Sequence, residues 1–206
     1  MAGQIWYLES VFHSDHARGY VPVGDPALTA RENRHVRMKI RARARRGAAI
    51  APEEVPETYV HKVTDPATRL DVPLWHSAFV QVRDDVVAVL RRFDLGTTVL
   101  RPIRVELADG GGVDTRYATL LTSNARATID PDASESIGYG AVKRGGLMCE
   151  GEIHPGVRAF RDAGRGPAVW TDPHVDTTVF VNDALAQALL SEPAGCALRL
   201  KRIGLA

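Results

Sequence analysis

The sequence predicts an α+β fold: a mixed or antiparallel sheet carrying two related strand–helix–strand units. Three observations lead there. One strand–helix–strand pattern occurs twice, ninety-nine positions apart, with Val82, Asp84, Leu90 and Gly96 in the first copy matched by Val181, Asp183, Leu189 and Gly195 in the second. The run 36–45 alternates apolar with basic residues, the period of a strand with one face inward. Glycine and proline punctuate the chain between these runs. A repeat this long implies a pair of half-domains, not a solenoid. The expected organisation is one domain over residues 1–206 with approximate halves 1–110 and 111–206. The competing reading is that an α+β chain holds two such units by coincidence.

Ile5-Trp6-Tyr7-Leu8 reads as an opening strand. From Val36 to Arg45 apolar residues fall at even positions and basic ones at odd positions, so the spacing predicts a strand with a basic outer face. Residues 51–73 read as loops around a short strand at Thr58–Val63. Phe79–Val82 predicts a strand, and Val86, Val89, Leu90 and Phe93 form one apolar stripe of a helix. Asp84 and Asp183 stand where a helix N-cap is expected, and Gly96 and Gly195 where a left-handed residue ends a helix. Strands follow at Thr98–Leu107 and Cys196–Ile203. The turn 109–113 marks the internal boundary, and a strand at Arg116–Leu121 opens the second half. The glycine-rich stretch 136–166 predicts hairpins and loops, with a short strand at Gly146–Glu150 and a short helix after Pro155. Trp75 and Trp170 precede the two repeated strands and either close the core over each unit or anchor a binding surface.

Composition narrows the function. An apolar fraction of 45% supports a sizeable core, and a net charge of +1 gives no global pull toward nucleic acid or membrane. Cys149 and Cys196 have neither metal-ligand nor disulfide-framework spacing, which suits two reduced thiols; a disulfide between them stays open. The opening residues lack the pattern of a signal peptide, and no run reaches the roughly 20 apolar residues of a membrane helix, so a cytoplasmic location is expected.

The strongest local feature is charge. Eight Lys or Arg residues stand between Arg31 and Arg46 against one acid, Glu32. Arg37, Lys39, Arg41 and Arg43 are the candidate partner-binding residues, for an acidic protein or for nucleic acid. The alternative is a solvated edge whose charges discourage aggregation. Base-stacking aromatics are missing among the arginines, which weakens the nucleic-acid reading. His13-Ser14-Asp15-His16 and Asp172-Pro173-His174-Val175-Asp176 hold metal-capable side chains but no recognised ligand spacing, so no metal is expected. Cys149 with His154 lacks the third group that would orient a catalytic pair. Gly138-Tyr139-Gly140 and Gly145-Gly146 form no phosphate loop, and no nucleophile elbow is present. No cofactor and no catalytic residue are predicted; a small enzyme built on Cys149, His154 or the Asp172–Asp176 group is the rival.

The segment from Tyr117 to Glu135, with Tyr117, Asn124, Asp130 and Ser134 at its marked positions, resembles the middle of immunity protein family eleven of bacterial polymorphic toxin systems, formerly a domain of unknown function. That family similarly has a strand and helix like Phe79 to Phe93 and ends in a segment like Val179–Asp183 followed by a short helix, a glycine and a last strand. The likeness spans residues 75–206 and departs at Leu121, where a second asparagine is expected, and over 138–166. It implies a non-catalytic protein that neutralises a cognate toxin by binding it. Another copy of the same chain is the remaining partner to be considered.

Overall fold

A computed structural model of the protein describes residues 3–8, 20–61, 74–76, 79–107, 111–134, 156–173, 175, 178–193 and 198–206. The chain begins with β1 (Ile5–Leu8), β2 (Tyr20–Pro22), the helix α1 (Ala30–Arg45) and β3 (Thr58–His61). It continues through β4 (Leu74–His76), β5 (Val80–Arg83), α2 (Asp84–Leu90), β6 (Val99–Pro102), β7 (Arg104–Glu106), β8 (Val113–Asp114) and β9 (Tyr117–Leu121). β10 (Ile129–Asp130), β11 (Arg158–Ala159), β12 (Val169–Trp170), β13 (Phe180–Asn182), α3 (Asp183–Leu190) and β14 (Leu200–Leu205) complete it. The fold is α+β, with mixed and antiparallel sheets and three helices among the strands.

The repeated units are visible as two sheets of the same order. β4-β5-β9-β6 makes one sheet; β12-β13-β1-β14 makes the corresponding part of a six-stranded sheet that β11 and β10 extend. Val82 pairs with Leu74 on one side and Ala118 on the other, and Val181 pairs with Val169 and Trp6. Leu120 lies between Val80 and Leu100; Leu8 pairs with Leu200 and donates its N–H to the Val179 carbonyl at 3.0 Å. Thus β9 in the first unit and β1 in the second hold the same place. The second unit is completed by a strand from the far end of the chain. Trp75 and Trp170 also correspond, one opposite Gln81 and the other opposite Phe180.

Alternation along these strands decides the packing. Val80, Val82, Ala118 and Leu120 of the first sheet, with Trp6, Leu8, Val179 and Val181 of the second, send their side chains into one core shared with the apolar stripes of α2 and α3. The opposite faces are covered separately. Ile5, Tyr7, Trp170, Phe180 and Ile203 form a second cluster. Tyr117 meets Tyr59 and Val105 of the sheet β2-β3-β7-β8. Trp170 is therefore a core residue, its indole N–H donating to Thr128 Oγ1 at 2.7 Å beneath the Arg126 guanidinium. Among the described residues no helix is long and apolar enough to cross a membrane.

Several local expectations need correction. Residues 36–45 are not a strand: they belong to the sixteen-residue α1. Thr29 accepts from the Glu32 N–H at 3.3 Å while Glu32 Oε2 accepts from the Thr29 N–H at 2.8 Å, a reciprocal cap that starts the helix. Ala, Arg, Lys and Met are good helix formers, and Ala and Lys are poor strand formers, so propensity opposes the alternation. Gly47, at φ +83°, ends the helix, with its N–H on the Ala44 carbonyl. The inward stripe is Asn33, Arg37, Ile40 and Ala44, spaced four, three and four.

The run Thr98–Leu107 is two strands, because the chain changes sheets at Ile103: β6 pairs with β9 and β7 with β3. Asn182 caps α3 by accepting from the Leu185 N–H at 2.9 Å, whereas Asp183 accepts from the Trp6 indole at 2.9 Å. Arg83 occupies the N-cap of α2 and makes no side-chain cap. After residue 156 the described chain makes β11 and turns where a helix was expected. The expected strand at Gly146–Glu150 lies outside the described residues.

Candidate functional site

The basic segment is the one candidate surface that the structure redistributes. On a strand, Arg37, Lys39, Arg41 and Arg43 share a face; on a helix of 3.6 residues per turn they cannot. Arg37 and Arg41, four apart, turn toward the body of the protein and are half-buried. Lys39 and Arg43 stay exposed. Arg43 is tied down: its guanidinium holds Glu54 in a bidentate pair at 2.5 and 3.4 Å. That pairing pulls the Glu54 carboxyl below its usual range, helped by the Ala51 N–H at 3.0 Å.

Arg37 has a different environment. Burial pushes its pKa down and the neighbouring Tyr59 opposes that shift. Its Nε has no hydrogen-bond partner among the described residues. Below it Gln81 donates to Tyr59 Oη at 2.9 Å, and Thr119 lies 3.5 Å from the same oxygen. These side chains join the sheet of β5 and β9 to β3, and they are too enclosed to meet a macromolecule.

The outward stripe of α1 is Arg31, His35, Lys39 and Arg46, all exposed. Val36 and Met38 flank it at 44% and 57% exposure, unusually open for residues of that size. The stripe carries no acid, and among the described residues no acid pairs with Arg31, Lys39 or Arg46.

One flank of α1 closes a cavity of about 180 Å³. Its floor is the seam between the two units: Phe79 and Val80 enter β5 there, and their counterparts Thr178 and Val179 enter β13. Leu120 and Thr122 at the end of β9 and Thr171 add to the wall. Met38, Arg41, Ala42 and Arg45 form the helix side. Periodicity read as a strand concealed this cavity, since it put Met38 and Arg41 on opposite faces.

The remaining sequence candidates separate into structural roles and undescribed positions. Asp172 is buried and its Oδ2 accepts the N–H groups of Thr128 and Ile129 at 2.6 and 3.1 Å, which fixes a loop and leaves that oxygen committed. His174, Asp176, Cys149, His154, Cys196 and residues 13–16 lie outside the described residues. Among the described residues no three His, Cys, Asp or Glu side chains group as metal ligands. Asn124 donates to the carbonyls of Leu95 and Val169 at 2.8 and 2.7 Å and accepts from Thr97 N–H and Oγ1, both at 2.9 Å. Asp130 accepts from the N–H groups of Asp132 and Ala133, and Ser134 donates to the Asp130 carbonyl at 2.5 Å. All three shape loops. No protein-family model matches the chain, and no curated protein matches it. The resemblance to immunity family eleven thus rests on the quoted residues alone.

Proposed function

We propose that this is a non-catalytic binding protein of the immunity type, which holds a cognate toxin through the outward face of α1. The carrying observation is that face: Arg31, His35, Lys39 and Arg46 in one stripe beside the exposed Val36 and Met38. Exposed positive charges, outnumbering the one acid Glu32 on this helix, raise encounter rates with an acidic partner, and the apolar flanks supply the area that excludes water. The motif likeness supplies the class of partner, and cytoplasmic residence belongs to the same proposal. The helix is a firm platform, capped at Thr29 and bolted to the loop at Glu54.

The first test is the neighbouring gene, which should encode a large secreted protein with a C-terminal toxin domain, and that domain is the probe. Calorimetry with the full chain should give binding that weakens at least tenfold as ionic strength rises from about 0.01 to about 1 M, where screening shortens from about 30 to about 3 Å. The double reversal Lys39→Glu with Arg46→Glu should weaken it by a further tenfold or more, and reversal of Arg92, which pairs with Glu192 outside α1, should not. Unchanged affinity in the first variant removes α1 as the contact. A gel shift with duplex or single-stranded DNA at physiological salt would instead favour a nucleic-acid binder.

A further inference from the structure

We propose that the outward face of the sheet β2-β3-β7-β8 docks on the same face of a second copy of this chain. Alternation along its strands sets that face. Tyr59 and Val105 point into the core, so Thr58 and Val60 on β3 and Arg104 and Glu106 on β7 point away from it. Five large apolar side chains are exposed among the described residues, and three belong to this sheet or its margin: Val21 at 38%, Val23 at 48% and Val113 at 45%. The other two, Val36 and Met38, stand on α1, so the sheet face and the helix face are built from different residues.

The register arranges the outward side chains in two rows across the strands. Val21 stands opposite Val60, and Val60 opposite Glu106. One step along, Thr58 stands opposite Arg104 and accepts the Val23 N–H on its carbonyl at 2.8 Å. On β7, then, one row carries an acid and the other a base. A two-fold axis parallel to the sheet, at right angles to β7 and level with Val105, exchanges the rows. It sets Arg104 against the partner's Glu106 and Glu106 against the partner's Arg104. The same rotation brings Val21 to the partner's Val23 and Val60 to the partner's Thr58.

Sheets packed face to face lie about 10 Å apart, close enough for their facing side chains to interdigitate. One operation thus pairs both charges and covers the valines, which is the self-complementarity an isologous dimer requires. Among the described residues neither Arg104 nor Glu106 makes an ion pair within its own chain. A partner of a single charge sign would satisfy one of them and repel the other. A second copy satisfies both.

Sedimentation equilibrium of the full chain from about 10 µM to about 1 mM tests this. Two rows on four short strands bury less than the roughly 800 Å² per partner of a standard interface, so the expected dissociation constant falls within that range. Glu106→Arg and Arg104→Glu should each weaken dimerisation at least tenfold, because each sets like charges together twice across the axis. Mixed with one another, the two variants should form a heterodimer. The double exchange Arg104→Glu with Glu106→Arg should restore self-association. Both residues are exposed, and thermal melting confirms that each variant is folded. A monomer at every concentration, a dimer unchanged in either single variant, or a double exchange that stays monomeric would each overturn the assignment. Loss of the dimer in Lys39→Glu with Arg46→Glu would move the contact to α1 and overturn it as well.

Discussion

Gln81 and Phe180 hold the same place in two copies of one structural unit and have opposite chemistry. Each stands one residue before the inward valine of the strand that leads into a helix, Val82 or Val181, and lies opposite a tryptophan of the neighbouring strand. Phe180 stacks on Trp170 at 6.1 Å, whereas Gln81, at 0% exposure, donates to Tyr59 Oη. The difference follows from what covers each sheet. The first unit's outer face meets the sheet of β3 and β7, which brings a phenol; the second unit's meets an apolar layer.

Gln81 Oε1 has no hydrogen-bond partner among the described residues, so half of this amide is buried at a cost. Replacing Gln81 by Leu removes that cost together with one hydrogen bond, and stability should stay within about 1 kcal/mol of the parent. Tyr59→Phe leaves the Gln81 amide buried without its phenol and should cost about 1–3 kcal/mol. Urea unfolding of the two variants checks the order. A larger loss for Gln81→Leu would contradict the account.

Gly96 and Asn124 form a second testable pair. Gly96 has φ +53°, and a Cβ there would lie 2.5 Å from Asn124 Oδ1 and 2.7 Å from Pro167 Cγ. Gly96→Ala therefore combines left-handed strain with displacement of the side chain that ties the 95–98 loop to β12. A loss of about 2–4 kcal/mol is expected. Gly112, at φ +97° with nothing within 4 Å of its virtual Cβ, is the control. Gly112→Ala should cost only the strain, about 1 kcal/mol. Equal denaturant midpoints for the two variants would show that the Asn124 contacts carry no weight.

The contrast between the two units explains what the sequence could convey. Local patterns sufficed for β5 with α2 and for β13 with α3, because a strand leading into an apolar helical stripe is written in adjacent residues. The matching of Val82 with Val181 was legible for the same reason. The place of β1 was not, since it brings Trp6 opposite Val181 from across the whole chain and no local signal encodes that pairing. In α1 the alternation of Arg with Ala and Met satisfied a period of two by accident. The stronger signals were the pair Thr29 and Glu32 ahead of it and Gly47 behind it, which mark a helix start and stop. The cavity was hidden with them, being built from a helix flank and two distant strand entries.

Acid stability should depend on Asp85. The Arg83 side chain, donating at 2.6 and 3.1 Å, holds the Asp85 carboxyl below its usual value, with the Val86 N–H assisting. A depressed folded pKa means stability that is present above the unfolded value of about 3.9 and lost as pH falls through the folded one. Asp85→Asn should flatten the decline below about pH 4 while leaving the profile near neutrality parallel to the parent's. Thermal melting from about pH 2 to about pH 7 measures it. A decline as steep in the variant as in the parent would assign the acid transition to other carboxylates.

The alkaline limb has the opposite sign and a different pair of groups. Burial, reinforced by the Asp114 carboxylate, pushes Tyr20 up to about 12, and the same two causes raise Tyr117 further. Both phenols are therefore protonated in the fold at pH values where the unfolded chain releases its protons, near pH 10. The folded state binds more protons in that window, so stability is fully present below about pH 10 and falls as pH rises toward the folded values. Substituting Tyr20→Phe and Tyr117→Phe together removes both contributions, and the denaturant midpoint should then decline less steeply between about pH 9 and about pH 11. Asp114→Asn should produce a smaller change in the same direction, because it removes one of the two causes and keeps the burial. A double phenylalanine variant with the parent's alkaline slope would show that the packing of Tyr20 and Tyr117 around Asp114 has no linkage to proton release.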